Sequence, residues 1–331
     1  MDKEQSGSSD IAPKTEINSF TVENSDIDLE TEIVATQPWN ITFVTKAPHY
    51  EKLSEHDYWS VAWQGIEQAG KDFGVNVELA YITEPCEYEF KCIQAYIKLV
   101  AKYLNSQTTD AMIIAPIDGN RLVTVTEKII DQGIPVIALD SAINTNKILS
   151  VVTFDNFQAG KVMGEWLVKQ LDDNANVLIL EGVTNQSSSI ARRNGFLTGL
   201  QQGNINVLDT QSGLWDTDTA EKITTQWIEE LPDIDAIMCA NDTMALGALK
   251  AIQKAKRSDI LITGYDAIYQ VIQAIAKGEI AATIDQSPDI QARIAVQMMV
   301  RHLETGELFP PIIYMPEIKL ISEENVNLSP Q

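Results

Sequence analysis

From Trp39 onward, short β-rich apolar runs alternate with longer stretches of helical period, and the series passes through the chain twice. "NITFVTK" predicts a strand, and "DYWSVAWQGIEQAGKDFG" predicts a helix with Gly74 where a helix stop belongs. "VNVELAYI", a helix near 88–104, "DAMIIAP", a helix near 120–131 and "IPVIALD" complete a βαβαβαβ series. "ILSVVTF" and the helix "DNFQAGKVMGEWLVKQL" open the second pass, followed by "ANVLILEG", a helix near 188–202, "INVLDTQSG" and "DTDTAEKITTQWIEEL". "IDAIMCAN", the helix beginning at "DTMALGALKAI", "DILITGYD", a helix near 267–277, "EIAATIDQ" and a helix near 288–304 close it. The strands are almost continuously apolar, so both faces of each sheet are covered. The expected class is α/β, with two doubly wound parallel sheets in one chain. A length of 331 residues suits two domains of about 150 each.

Composition narrows the partners. Lys and Arg number 24 against 47 Asp and Glu, a formal net charge of −23, and such a surface repels nucleic-acid backbones and anionic lipid. No apolar run approaches the roughly 20 residues of a membrane span. Residues 1–37 are polar, Ser-rich and acidic, and read as a disordered leader or tether without the basic start and apolar centre of a signal peptide. Cys86 and Cys92 stand six apart, close enough to bridge in an oxidising compartment; two unpaired thiols at a helix start is the alternative. Cys239 lies in an apolar strand, and His49, His56 and His302 form no metal motif, so no metal is expected.

In open parallel sheets a ligand sits beyond the carboxyl ends of the strands. Those ends carry Pro116 with Asp118, Asp140 with Ser141, Glu181 with Gly182, Trp215, Asn241 with Asp242, Tyr265 with Asp266, and Gln286; His56, Tyr58 and Trp59 follow the first strand. Arg192 is the single cation read into this set. Flat aromatic faces suit the C–H faces of a sugar ring, while carboxylates, amides and a guanidinium suit its adjacent hydroxyls. Each residue also has a structural reading, as a helix cap or a core aromatic. The pair Asn241 and Asp242 poses the choice most sharply, since a strand-to-helix corner needs one capping side chain.

The blocks "AMIIAPID", "GIPVIALD", "TFDNFQAGKVMGEWL", "ARRNGF", "ANDTMALGALKAI", "ITGYDA" and "GEIAATIDQ" resemble, in order and spacing, the sugar-binding proteins of ABC importers, near the ribose-binding type, over about residues 39–320. The resemblance implies the type I periplasmic binding protein fold, two lobes joined by a hinge of three crossings near 154, 286 and 316. The lobes would be 38–154 plus 287–316 and 155–286 plus 317–331. It further implies a non-enzymatic monomer without cofactor, located in the periplasm or lipid-anchored at the cell surface, that closes on a monosaccharide and delivers it to a membrane permease. Carried over residue by residue, the ligand set is His56, Tyr58, Trp59, Asp140, Arg192, Trp215, Asn241, Asp266 and Gln286, with Asn241 as ligand contact and Asp242 as cap. Ala115, Ser141 and His56 stand where the ribose type has Asn, a basic residue and Asn, and Trp replaces Phe in the clamp. Those departures point to another monosaccharide, a hexose or a furanose form.

Two other classes are weighed. A sugar-sensing regulator would need a DNA-binding segment before residue 39, and the leader has neither the apolar period nor the positive charge for one. A glycosidase would need a proton donor from Asp140 or Asp266, and the nearby Arg192 is expected to hold both acids ionised. No G-x-G-x-x-G follows a strand to suggest a nucleotide.

Overall fold

The computed structural model describes residues 33–48, 50–54, 57–84, 89–184, 186–231, 233–315 and 317–326. Most of the expected leader, His56 and Cys86 therefore lie outside the described residues. In chain order the elements are β1 (Asn40–Pro48), α1 (Tyr58–Phe73), β2 (Asn76–Ile82), α2 (Glu89–Ala101), β3 (Ala111–Ile114), α3 (Val123–Ile130), β4 (Val136–Leu139) and β5 (Ser150–Thr153). Then come α4 (Asn156–Val168), β6 (Asn176–Glu181), α5 (Ser187–Leu200), β7 (Asn206–Ser212), α6 (Thr217–Glu230), β8 (Ala236–Cys239) and α7 (Asp242–Ala255). The chain ends with β9 (Leu261–Thr263), α8 (Tyr269–Ala276), β10 (Ala282–Asp285), α9 (Pro288–Thr305), β11 (Ile312–Tyr314) and β12 (Lys319–Ser322).

The strands form two six-stranded sheets, ordered β11-β5-β4-β3-β1-β2 and β12-β10-β9-β8-β6-β7. The continuous apolar runs have a direct cause. In the first sheet Ile113 joins a core with Phe43 and Ile137 on one face, while its neighbours Met112 and Ile114 join Val44 and Val136 in a core on the other. Helices cover both faces, so the positions of the central strands β3, β4 and β8 are interior.

The two sheets repeat one device at their amino edges. Asp110, just before β3, accepts from the backbone N–H of Asn40 at 2.7 Å, and Asn76 donates to the Asn40 side chain at 3.0 Å. In the second sheet Asp235 accepts from the N–H of Asn176 at 2.6 Å, and Asn206 donates to the Asn176 side chain at 3.3 Å. The same carboxylate and amide ladder thus sets the register of β1, β2 and β3 and of β6, β7 and β8.

The chain passes between the sheets after Thr153, after Asp285 and after Tyr314. Periodicity did not announce β11 and β12, which have only three and four residues. β12 also departs from the parallel pattern, pairing antiparallel with β10. β11 leaves its sheet at the carboxyl edge, and the four residues before β12 are too few for a crossover helix; β12 therefore enters from the edge where its neighbours end.

Helices α4 and α5 make the closest helix pair. Gly160 and Gly164 face Gly195 and Gly199, and a Cβ on Gly195 would stand 2.3 Å from the Phe157 carbonyl oxygen and 2.8 Å from the Lys161 nitrogen. The obstructing atoms are backbone and cannot rotate away. Gly195→Ala should therefore force the helices apart and cost about 1–3 kcal/mol, read as a lower urea midpoint for the second sheet's unfolding; an unchanged midpoint would show that the pair has slack.

Candidate functional site

The carboxyl edges of both sheets meet at one cavity of about 740 Å³. Of the nine sugar-binding residues expected, eight line it: Tyr58, Trp59, Asp140, Arg192, Trp215, Asn241, Asp266 and Gln286. His56 is the exception, outside the described residues. Cys92 also lines it, from α2, and is disulfide-bonded, while Cys86, the partner weighed for it, lies outside the described residues.

Arg192 occupies the centre of the second sheet's half. Its position in the second turn of α5 directs the side chain across the sheet edge, where only 4% of the residue is exposed. Nε donates to Asn156 Oδ1 at 2.8 Å, Nη1 donates to the Ala240 carbonyl at 2.8 Å, and Nη1 lies 3.5 Å from Asp266 Oδ1. The guanidinium stacks 3.7 Å from the ring centroid of Tyr265 and 5.5 Å from that of Trp215. Tyr265 OH donates to the same Asn156 oxygen at 3.2 Å, so Asn156 fixes both layers of the stack. Gln286 donates from Nε2 to Asp266 Oδ1 and leaves its own Oε1 buried without a partner.

In the first sheet's half Asp140 is the centre, and sequence reasoning missed its partner. Lys46 Nζ stands 2.6 Å from Asp140 Oδ2 and 5.2 Å above the Trp59 ring, while Ser141 and Tyr58 donate to the same carboxylate at 2.8 and 3.2 Å. Arg192 is therefore not the only cation of the site. Lys46 was visible as the last residue of "NITFVTK", but β1 runs on to Pro48 and nothing in the local pattern linked it to Asp140.

At the Asn-Asp corner the expected cap, Asp242, is overturned. Asn241 is the cap: its backbone is extended and its Oδ1 accepts from the Met244 N–H at 3.0 Å. Asp242 already belongs to the helix, so its carboxylate cannot fold back over the first turn. It accepts instead from the Ile268 N–H and from Thr283 Oγ1, each at 2.8 Å, beneath the site floor. Asn241 still lines the cavity, with its amide nitrogen left over by the cap.

The indole of Trp215 sits against Gly182, where a Cβ would come within 2.0 Å of the ring, and its Nε1 donates to Gln186 Oε1 at 2.6 Å. Leu214 and Trp215 both have left-handed backbones, with φ of 56° and 62°. Asp140, Asp266 and Ser287, at other strand ends, are left-handed too, with φ of 68°, 121° and 47°.

The carboxyls differ in acidity. Burial pushes Asp140 up, but Lys46, with help from Arg192, outweighs it and holds the group below the usual carboxylate value. Burial wins at Asp266, raising it to about 6 against the pull of Arg192 and Gln286. The expectation that Arg192 keeps both acids down thus fails for Asp266, whose guanidinium contact is long and shared with other acceptors. Asp242, buried beside Asp266, is raised to about 7, by burial first and then by that neighbour.

With this geometry in place, three comparisons bear on the chain. The family model described as periplasmic binding protein domain matches residues 52–308. A D-ribose/D-allose-binding protein of Pseudomonas aeruginosa is 32% identical over 59% of this chain; the match spans 63% of that protein's own length, under two thirds. The D-allose-binding periplasmic protein of Escherichia coli is 28% identical over 82% of this chain and 88% of its own. The crystal structure of an ABC transporter periplasmic solute binding protein from Actinobacillus succinogenes with bound D-allose superposes with a TM-score of 0.77 at 26% identity, covering 88% of this chain and 100% of that one.

Two outcomes test the site as built. Gly182→Ala should displace the Trp215 indole and change its emission, a difference lost when the pair is compared in a Trp215→Phe background. Asp266 and Asp242 hold protons more tightly folded than unfolded, so their cost to the fold is fully present above about pH 7 and is relieved as pH falls toward the unfolded value of 3.8. Between pH 8 and pH 5 the urea-unfolding free energy should rise by roughly 4 kcal/mol. A flat or falling profile would contradict it.

Proposed function

Since the chain belongs to the periplasmic binding protein domain family, we propose that it captures a monosaccharide between its two sheets and delivers it to the membrane permease of an ABC importer. One observation carries this reading: residues from both sheets, aromatic and hydrogen-bonding together, line a single cavity. A ligand shifts a hinge equilibrium only as far as it binds the closed form better, and a site divided between two bodies meets that condition. The lobes are taken as 38–154 plus 287–316 and 155–286 plus 317–331, hinged at the three crossings.

The charges favour a neutral polar ligand. Lys46 pairs with Asp140, and Arg192 faces Asp266, so the cations and the acids around the cavity answer one another. Asp57 and Asp216 also line it, but each accepts a backbone hydrogen bond, from Ser54 and Thr219, at 2.6 and 2.8 Å. In the proposed complex Asp140 and Asp266 accept from hydroxyls, Arg192, Lys46 and the Asn241 amide donate, and Trp59 and Trp215 cover the ring faces. Among the described residues no helix is long and apolar enough to cross a membrane. Membership of the family supports a site of action outside the cytoplasm, where the chain, free or tethered, would meet the permease.

Melting the protein against a panel of pentoses and hexoses in pyranose and furanose forms should single out one sugar, because saturation at about 100 times the dissociation constant adds roughly 2.7 kcal/mol. Trp215→Ala and Asp266→Ala should each weaken that sugar by at least about 10-fold, the worth of a charged hydrogen bond or a stacked ring. Calorimetry giving wild-type affinity for both variants would remove these residues from the ligand set. For the intact protein, affinity should fall as pH drops through about 6, where Asp266 loses its charge.

A further inference from the structure

Gln186 lines the cavity and is not one of the residues expected there. It is the N-cap of α5: its backbone is extended, with φ of −87° and ψ of 135°, and its carbonyl accepts from the Ile190 N–H at 3.1 Å. Its side chain caps nothing. Glutamine is not among the residues favoured at a cap, whereas serine is, and serines follow at 187–189. The side chain is used instead on Trp215, whose indole Nε1 donates to Gln186 Oε1 at 2.6 Å.

That contact decides two things. An indole N–H can only donate, so the amide must present its oxygen to Trp215, and the NH2 group is left over at the edge of the ring. The torsion that turns an indole about its Cβ–Cγ bond is broad and roughly two-fold. Gly182 backs the ring with main chain alone, and the Arg192 guanidinium lies 5.5 Å from its centroid; neither contact selects an edge. The bond at Nε1 does.

We propose that Gln186 is a specificity-determining residue of the sugar site: Oε1 fixes which edge of the Trp215 indole turns to the cavity, and the amide NH2 donates to one hydroxyl of the ring stacked on that indole. The inference rests on the monosaccharide reading above and adds a residue that reads one position of the ring. A sugar stacked on an indole carries its hydroxyls around its rim, so a donor at the indole's own edge meets one of them and not the others. A site of this kind discriminates through hydrogen bonds left unmade, since a sugar lacking that hydroxyl leaves the NH2 covered and unpaired.

The test uses the purified full-length protein, the sugar selected by the melting panel and the monodeoxy analogues of that sugar. Gln186→Met keeps the length of the side chain without its amide, and Gln186→Glu keeps an acceptor for the indole. In nitrogen–proton correlation spectra the Trp215 indole gives the signal, among those of six tryptophans, that disappears in Trp215→Phe. Its hydrogen exchange should be slow in the wild type and in Gln186→Glu, and about 5-fold or more faster in Gln186→Met. By calorimetry one monodeoxy analogue should bind the wild type about 3- to 10-fold more weakly than the sugar. Gln186→Met should bring that ratio close to one and leave the ratios for the other analogues as they were. If Gln186→Met leaves every ratio unchanged, as a disturbance of α5 alone would, the proposal is overturned while the sugar reading stands; slow indole exchange in that variant overturns it equally. If neither the sugars nor the analogues bind the wild type, the sugar reading itself falls and takes this one with it.

Discussion

The guanidinium of Arg192 is the group on which the arrangement of the site depends. It is buried at 4% exposure, with Tyr265 and Trp215 at its π faces, Asn156 and the Ala240 carbonyl accepting from Nε and Nη1, and Asp266 alongside. A buried cation carries a desolvation cost of several kcal/mol, offset only when its donors are met. Four elements therefore hold their positions relative to one another through it: α4 by Asn156, α5 by Arg192 itself, the end of β8 by Ala240, and the turn after β9 by Tyr265 and Asp266. Lysine could neither fork between Asn156 and Ala240 nor stack as a plane.

Around this centre the backbone takes unfavourable conformations in the same place. Asp140, Trp215, Asp266 and Ser287 are left-handed, and all four stand at carboxyl ends of strands that open on the cavity. Non-glycine residues reach that region at a cost of roughly 1–3 kcal/mol each, which the surrounding packing must absorb. The gain is direction: a strand end in its ordinary extended form would carry the next side chain along the sheet rather than back over the edge. The repeated Asp-Asn ladders at the amino edges, far from the cavity, hold the strands in register while their other ends are distorted.

Much of this was legible in the chain. Continuous apolar strands alternating with helical periods state a doubly covered parallel sheet, because only that arrangement buries both faces of each strand. The strand-end rule, narrowed by the family resemblance, then gathered eight residues that do share one cavity. What escaped was local geometry and long reach. Asn241 and Asp242 are both good caps, and which one caps depends on which residue first takes helical dihedrals, a matter settled by β8 ending at Cys239 and α7 beginning at Asp242. Lys46 drew no attention because its partner, Asp140, is 94 residues away. β11 and β12 are too short for their periodicity to show, and they exist as strands only because neighbouring edges supply hydrogen bonds.

The sequence by itself determined the layers, the order of the elements and the kinds of chemistry at the sheet edges, since apolar period and turn residues act through near neighbours in the chain. Only the tertiary structure decided the pairing of charges and the acidity of each carboxyl. Those depend on distances between atoms that the chain brings together from far apart, and on how much water is excluded when it does. Asp140 and Asp266 are the same residue type at the same kind of strand end. One is held ionised by a close ammonium, and the other is pushed up to about 6 by burial, because the fold gave the first a near cation and the second a shared one.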